Sequence, residues 1–265
     1  MAWCDNTFSS SKLFIVNIKF CFTVGTTWTK QIVKLIWNKG EEDGRKVFSA
    51  LPWLENEKRV PTIKYADEMP SPRGFNTHQP YSMMAGGLPH TTPAKYIYIA
   101  RNPKDVCVSY YYHMRAFKAM NYSGTWDEFY QVFVSERAPL GGWFDHVLEW
   151  WKHKDAENIL FLKYEDMKKD CHALVKRIGE FLGYDMKEEV VDKVAEQTTF
   201  QAMKANPAAN FEWPEIYTRK PGEQPFMRKG VVGDWKNHFT LEQNAEFDAI
   251  YAEKMKGSGL GFDFE

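Results

Sequence analysis

The chain has 265 residues, 44% hydrophobic and 26% charged, a balance that can bury a substantial core and argues against disorder. Its 34 basic and 35 acidic residues leave a net charge of -1, so no overall field draws it to nucleic acid or an anionic membrane, and any anion site must be local. The four cysteines, Cys4, Cys21, Cys107 and Cys171, lack paired spacing, which argues against a zinc site or a disulfide framework and fits reduced thiols in the cytoplasm.

The apolar run from Leu13 to Val24 is broken by Asn17 and Lys19 and is too short to cross a bilayer. It has neither a charged leader nor a small-residue cleavage site, so a cytoplasmic protein is expected. Within it Leu13-Phe14-Ile15-Val16 predicts a first strand, Gly25 a turn, and Thr26 to Trp37 a helix carrying Trp28, Ile32, Leu35 and Ile36 at helical spacing. Lys95 to Ala100 and Asn158 to Leu162 read as further buried strands, each followed by a helical pattern. Helices are predicted over Pro103 to Lys118, Thr125 to Glu136, Trp143 to Lys154, Cys171 to Leu182, Lys187 to Glu196 and Leu241 to Lys256. The alternation predicts an α/β fold in which helices flank a central parallel sheet. From Asn206 to Asn237 runs a Pro- and Gly-rich stretch with no period, longer than an ordinary connection, which carries Arg228-Lys229-Gly230.

Several residues fall where such a fold collects ligands. Gly25-Thr26-Thr27-Trp28 opens a helix directly after a strand, where backbone N–H groups and the positive helix end cradle a phosphate; a threonine-capped helix with a buried tryptophan accounts for the same four residues. The second strand ends in Arg101-Asn102-Pro103-Lys104-Asp105, with Ser109 further along, which sets an arginine fork at the carboxyl edge of the sheet. An ion pair with a neighbouring carboxylate is the alternative use of Arg101. Tyr164 closes the third strand as a polar contact or as core, and His78 in Phe75-Asn76-Thr77-His78-Gln79-Pro80 is a base or a structural histidine. The spacing lacks the Gly-Lys-Ser/Thr of nucleoside-triphosphate loops, and no magnesium-binding carboxylate is evident, which disfavours a kinase.

Taken together these segments resemble the cytosolic sulfotransferase family from about Gly25 to the C-terminus. Phe226-Met227-Arg228-Lys229-Gly230-Val231-Val232-Gly233-Asp234-Trp235-Lys236-Asn237 is similar almost letter for letter to that family's C-terminal signature. Arg101 to Asp105 with Ser109, Tyr164-Glu165-Asp166, and Thr198 to Met203 match further blocks in order. The resemblance implies one sulfotransferase domain over residues 1–265, with 1–24 atypical and shortened, and a P-loop-like phosphosulfate loop. It implies a cofactor, 3′-phosphoadenosine-5′-phosphosulfate (PAPS, leaving PAP as product), and no metal. Gly25, Thr26 and Thr27 would hold the 5′-phosphosulfate, and Trp28 and Phe200 would sandwich the adenine. Arg101, Ser109, Arg228, Lys229 and Gly230 would bind the 3′-phosphate. Tyr164 and Thr198 would touch the base, and Met203, Phe226 and Met227 complete the cofactor set. His78 falls on the catalytic base, and Asn76, Thr77 and His78 face the substrate.

The chain departs from the family's Tyr-Pro-Lys-Ser-Gly-Thr-Thr-Trp loop, because Cys21-Phe22-Thr23-Val24 precede Gly25 and Thr23 holds the lysine's place. Lys19 lies four residues back, and the second lysine usual two residues before the histidine is Asn76. Two readings follow: an active sulfotransferase acting on a hydroxyl or amine of a small phenol, steroid or amine, or a PAPS/PAP-binding protein with impaired catalysis. Phe75, Tyr81, Tyr110, Tyr111, Tyr112, Trp143 and Phe144 are candidates to line the acceptor pocket or to fill the core. Of the family's dimer motif Lys236 and Thr240 remain, with Leu241 a mild change and Ala245 in place of glutamate, so a monomer or weak homodimer is expected.

Overall fold

The computed structural model describes residues 15–20 (backbone only), 25–55, 68–84, 86–212 and 219–265. Thr23 and the rest of the departing loop, and the start of the predicted first strand, lie outside the described residues.

Four strands, β1 (Ile15–Phe20), β2 (Arg73–Thr77), β3 (Lys95–Ala100) and β4 (Ile159–Lys163), form a sheet in the order β2-β1-β3-β4. Every pairing is parallel, with Asn17 opposite both Phe75 and Tyr96, and Ile97 opposite Leu160. The first strand therefore runs to Phe20 and not to Val16, because its register is fixed by its neighbours on both sides. The helices are α1 (Thr26–Trp37), α2 (Val47–Ala50), α3 (Pro103–Ala116), α4 (Trp126–Val134) and α5 (Trp143–Trp151), then α6 (Tyr164–Lys169), α7 (Cys171–Leu182), α8 (Glu188–Gln197), α9 (Phe200–Ala205) and α10 (Leu241–Lys254). The predicted helices over 103–118 and 143–154 stop earlier: Phe117 leaves helical geometry ahead of a 3₁₀ turn at Lys118–Met120, and turns follow Trp151.

Strand alternation sends side chains to two cores. Ile97, Ile99, Leu160 and Leu162 meet Ile32, Val33 and Leu35 of α1, Val175 and Ile178 of α7, and Val191 and Val194 of α8. On the other face Tyr96, Tyr98, Ile159 and Phe161 meet Val106, Tyr110 and Tyr111 of α3, Phe129 of α4, Trp143 and Trp150 of α5 and Phe247 of α10. Phe75, Tyr81, Tyr111, Trp143 and Phe144 are thus core residues and not pocket walls, whereas Tyr110 and Tyr112 do reach the cavity described below.

β1 leads to β2 on one side and is flanked by β3 on the other, so the chain's connections diverge at the carboxyl ends of β1 and β3. Ligands of open α/β sheets bind at such a switch point.

Trp150 is fully buried, with its ring centroid 5.0 Å from that of Tyr81 and 5.2 Å from that of Tyr98. Trp150→Ala should cost about 3–5 kcal/mol in urea unfolding. Leu241→Ala, at a position 86% exposed, should stay within about 0.5 kcal/mol of the unmodified protein.

Candidate functional site

A cavity of about 450 Å³ opens where the carboxyl ends of the strands meet α1, α3 and the segment 225–231. One end of it begins at Gly25, which precedes α1 with φ 83°, a left-handed conformation that side-chain-bearing residues rarely adopt. A Cβ there would also lie 3.1 Å from the Tyr164 ring, so turn and close approach both require glycine. The first amides of this twelve-residue helix have no intrahelical acceptor, and with the helix dipole they form an anion-binding end beside Thr26 and Thr27.

Arg101 leaves β3 into this space. It ion-pairs with Asp105 at 2.9 Å, donates to the Val231 carbonyl at 2.6 Å, and lies 4.4 Å from the centroid of the Tyr164 ring. The carboxylate pairing and the cavity position hold together, because Arg101 is 8% exposed and its Nε has no hydrogen-bond partner. Asn102 caps α3 by accepting from Asp105 N at 2.8 Å, with Pro103 at the first helical position. Asp105 accepts in turn from Gly233 N at 2.9 Å and Trp235 N at 3.0 Å, which brings the C-terminal segment over the sheet edge. Glu165 accepts from Asn102 N at 2.7 Å; its burial raises the carboxyl pKa against the hydrogen bonds that lower it.

The segment then supplies two more cations. Arg228 and Lys229 share Asp234, at 2.6 and 2.5 Å. Burial pushes the Asp234 carboxyl up, but hydrogen bonds from Lys229, Asn237 and Arg228 outweigh it and hold the pKa below its ordinary value. Gly230 has φ 66°, and a Cβ on it would meet the Phe200 ring at 2.3 Å, so Phe200 closes directly on this turn. Thr198 spends its hydroxyl on the Val194 carbonyl at 2.8 Å, and Met203 is buried in the cavity wall.

The other half is built on β2. Asn76 and His78 line the cavity, whereas the intervening Thr77 points the opposite way, its hydroxyl bonded to Glu55, as strand alternation requires. His78 meets Trp53 edge-on at 5.4 Å. Its backbone carbonyl lies 3.2 Å from His146 Nε2. A carbonyl only accepts, so Nε2 carries the proton in neutral His146, and Nδ1 accepts from the Tyr98 hydroxyl at 2.9 Å. Phe117 and Phe211, with Phe48 and Phe226 packed against them, wall the far end. His113 sits among them, its pKa lowered to about 3 by burial and by the charge of His78.

The cavity thus gathers Gly25, Thr26, Thr27, Trp28, Asn76, His78, Arg101, Ser109, Tyr164, Thr198, Phe200, Met203, Phe226, Met227, Arg228, Lys229 and Gly230, and leaves out Thr77. Sequence reasoning missed Lys30, Phe48, Trp53, His113, Phe117 and Phe211 as lining residues, and Asp105, Glu165 and Asp234 as the buried acids that set the cations. The run Tyr110-Tyr111-Tyr112-His113 after Ser109 was the available signal for His113, since Ser109 and His113 are four apart on one helix face. Cys107 is buried and Cys171 partly so, both as free thiols. Among the described residues no helix is long and apolar enough to cross a membrane.

A family model described as "Sulfotransferase domain" matches residues 23–259. Sulfotransferase 1C2 of Rattus norvegicus is 40% identical over 246 residues, 91% of this chain and 83% of the relative. A retinol dehydratase in complex with retinol and PAP superposes with a TM-score of 0.83 at 27% identity, over 96% of this chain and 84% of that one. A mouse sulfotransferase complexed with PAP gives 0.75 at 30% identity, over 95% and 86%. With this cavity at the carboxyl edge of its sheet, the chain belongs to the sulfotransferase family.

Proposed function

We propose that the cavity binds PAPS and a small apolar acceptor end to end and transfers the sulfuryl group between them. The observation that carries this reading is one continuous cavity with three cations and a helix N-terminus at one end and His78 among aromatic rings at the other. The residues fit the nucleotide: Arg101 keeps an unpartnered buried Nε, and Ser109, Arg228 and Lys229 line the same cavity. An arginine-rich set suits the 3′-phosphate that separates PAPS from simpler nucleotides. Trp28 and Phe200 offer faces to the adenine, with Tyr164 and Thr198 at its rim.

When bound, PAPS supplies a sulfuryl group already activated by its phosphate leaving group. Neutral His78 accepts the acceptor's proton as its oxygen or nitrogen attacks sulfur, and the fixed cations and helix amides stabilise charge that develops on oxygen. The Tyr98–His146 chain holds the His78 backbone so that the ring keeps its place against Trp53. The walls of Phe48, Trp53, Tyr110, Phe117 and Phe211 select a flat apolar acceptor such as a phenol, steroid or aromatic amine. The relatives solved with retinol or androsterone beside PAP support an acceptor of that size. We further read the chain as one domain of the cytoplasm, a monomer or weak homodimer, since Lys236 of the residual dimer motif is bonded to the chain's own Glu265 at 2.6 Å.

PAP should raise the melting temperature in a dose-dependent way, and the nucleotide without its 3′-phosphate should do so far less. Arg228→Ala should remove most of that difference; equal binding of the two nucleotides would refute the phosphate assignment. His78→Ala should lower turnover more than about a hundredfold while PAP affinity, read by calorimetry, stays within about threefold. A mild loss of turnover would return His78 to a structural role.

A further inference from the structure

Two lysines lie on the buried part of α1, four residues apart, and they are treated differently. Lys34 is fully buried and neutralised by Glu42 at 2.6 Å and Asp43 at 3.2 Å. Lys30 is 3% exposed, and among the described residues no carboxylate pairs with it. Its Nζ donates to Asn76 Oδ1 at 2.9 Å, lies 5.1 Å from the centroid of the Phe48 ring, and the residue lines the cavity. A buried ammonium with one neutral partner is costly to keep in a fold, and burial lowers its pKa to about 7. A structural role alone would be met better by methionine or leucine.

The position explains the retention. Thr26 and Thr27 precede Lys30 by four and three residues, so all three share one face of α1 that begins at the anion-binding helix end. Its partner Asn76 is two residues before His78 on β2, on the same side of the strand. Lys30 therefore stands between the helix end at Thr26 and Thr27, proposed above for the phosphosulfate, and His78, proposed above as the base.

We propose that Lys30 is a catalytic residue of the sulfuryl transfer, its ammonium held by Asn76 and donating to the oxygens of the group in flight. This rests on the function proposed above. In the step the acceptor oxygen or nitrogen forms a bond to sulfur, the bond from sulfur to the bridging phosphate oxygen breaks, and the electron pair leaves with that oxygen. The acceptor's proton goes to His78, and Lys30 offsets the negative charge arriving on the bridging and peripheral oxygens. Because Thr23 carries no charge, the cation comes from the helix and not from the loop preceding it.

The test compares the unmodified protein with Lys30→Met and Lys30→Arg, using PAPS, PAP and a phenolic acceptor. Lys30→Met should lower turnover about a hundredfold, the scale of one lost electrostatic stabiliser, with PAP affinity changed less than about threefold. Lys30→Arg should recover part of the turnover. An independent readout needs no turnover: calorimetry of PAPS binding without acceptor, at pH 8 in two buffers of different ionisation enthalpy. The other titratable side chains of the cavity are His78, His113, Tyr110, Tyr112, Tyr164, Arg101, Lys168, Arg228 and Lys229, and burial brings Lys30 down to about 7, just below that pH. The unmodified protein should take up close to one proton as Lys30 becomes ammonium beside the sulfuryl oxygens. Both variants should take up none, since Met does not titrate and Arg is charged throughout. Turnover of Lys30→Met within threefold of the unmodified protein, or proton uptake that survives in it, overturns the assignment. Equal losses of PAP affinity and turnover also overturn it, by making Lys30 a ground-state binding residue. An unmodified protein that binds neither PAP nor PAPS would instead refute the proposed function.

Discussion

The site depends on one buried carboxylate, Asp105, which is 1% exposed and receives four donors from three parts of the chain. Arg101 comes from the end of β3, Asn102 Nδ2 from the cap of α3, and the amides of Gly233 and Trp235 from a segment about 130 residues later. A buried charge is tolerated only when its hydrogen-bonding capacity is filled, so these partners are fixed together or not at all. That constraint carries Arg228 and Lys229 to the sheet edge, and Asp234, next to Gly233, then orients both of them. The acids that hold the cations are thus as much a part of the anion site as the cations.

The cavity divides its chemistry by length. At one end charge is dense and supported by helix amides; at the other, aromatic rings stand beside His78, and burial keeps His113 neutral over the working range. Lys30 stands at the junction, where among the described residues its Nζ meets the Asn76 amide and the Phe48 ring but no carboxylate in the free protein, and would find the sulfuryl oxygens in the loaded one. An electrostatic stabiliser that is poorly compensated before the reaction and well compensated during it acts on the transition state more than on ground-state binding.

Much of this was legible in the sequence, and the reasons for the gaps are physical. Strand-to-helix switches at Gly25, Arg101 and Tyr164 put polar residues at one sheet edge because parallel strands present all their carboxyl ends together. The C-terminal block 226–237 was recognisable by its letters, not by any periodicity, since it runs in turns. Lys30 was invisible for a different reason. α1 is buried from Thr29 to Ile36, polar face included, so the apolar stripe of Ile32, Leu35 and Ile36 does not mark which lysine faces a cavity and which an acid. The acceptor walls Phe48, Trp53 and Phe211 come from segments far apart in sequence with little regular structure, and only the fold brings them together. Conversely, Trp143 and Phe144 looked equally suited to a pocket but belong to the core behind β3, because α5 packs its first turn inward.

The most direct test of this account is a crystal structure of the protein with PAP. The 3′-phosphate should lie within hydrogen-bonding distance of Arg101, Ser109 and Arg228, the adenine should lie between Trp28 and Phe200, and Asp105 should keep its bonds to Gly233 and Trp235. A nucleotide bound away from this sheet edge, or one whose phosphate displaces the Asp105 partners, would contradict it.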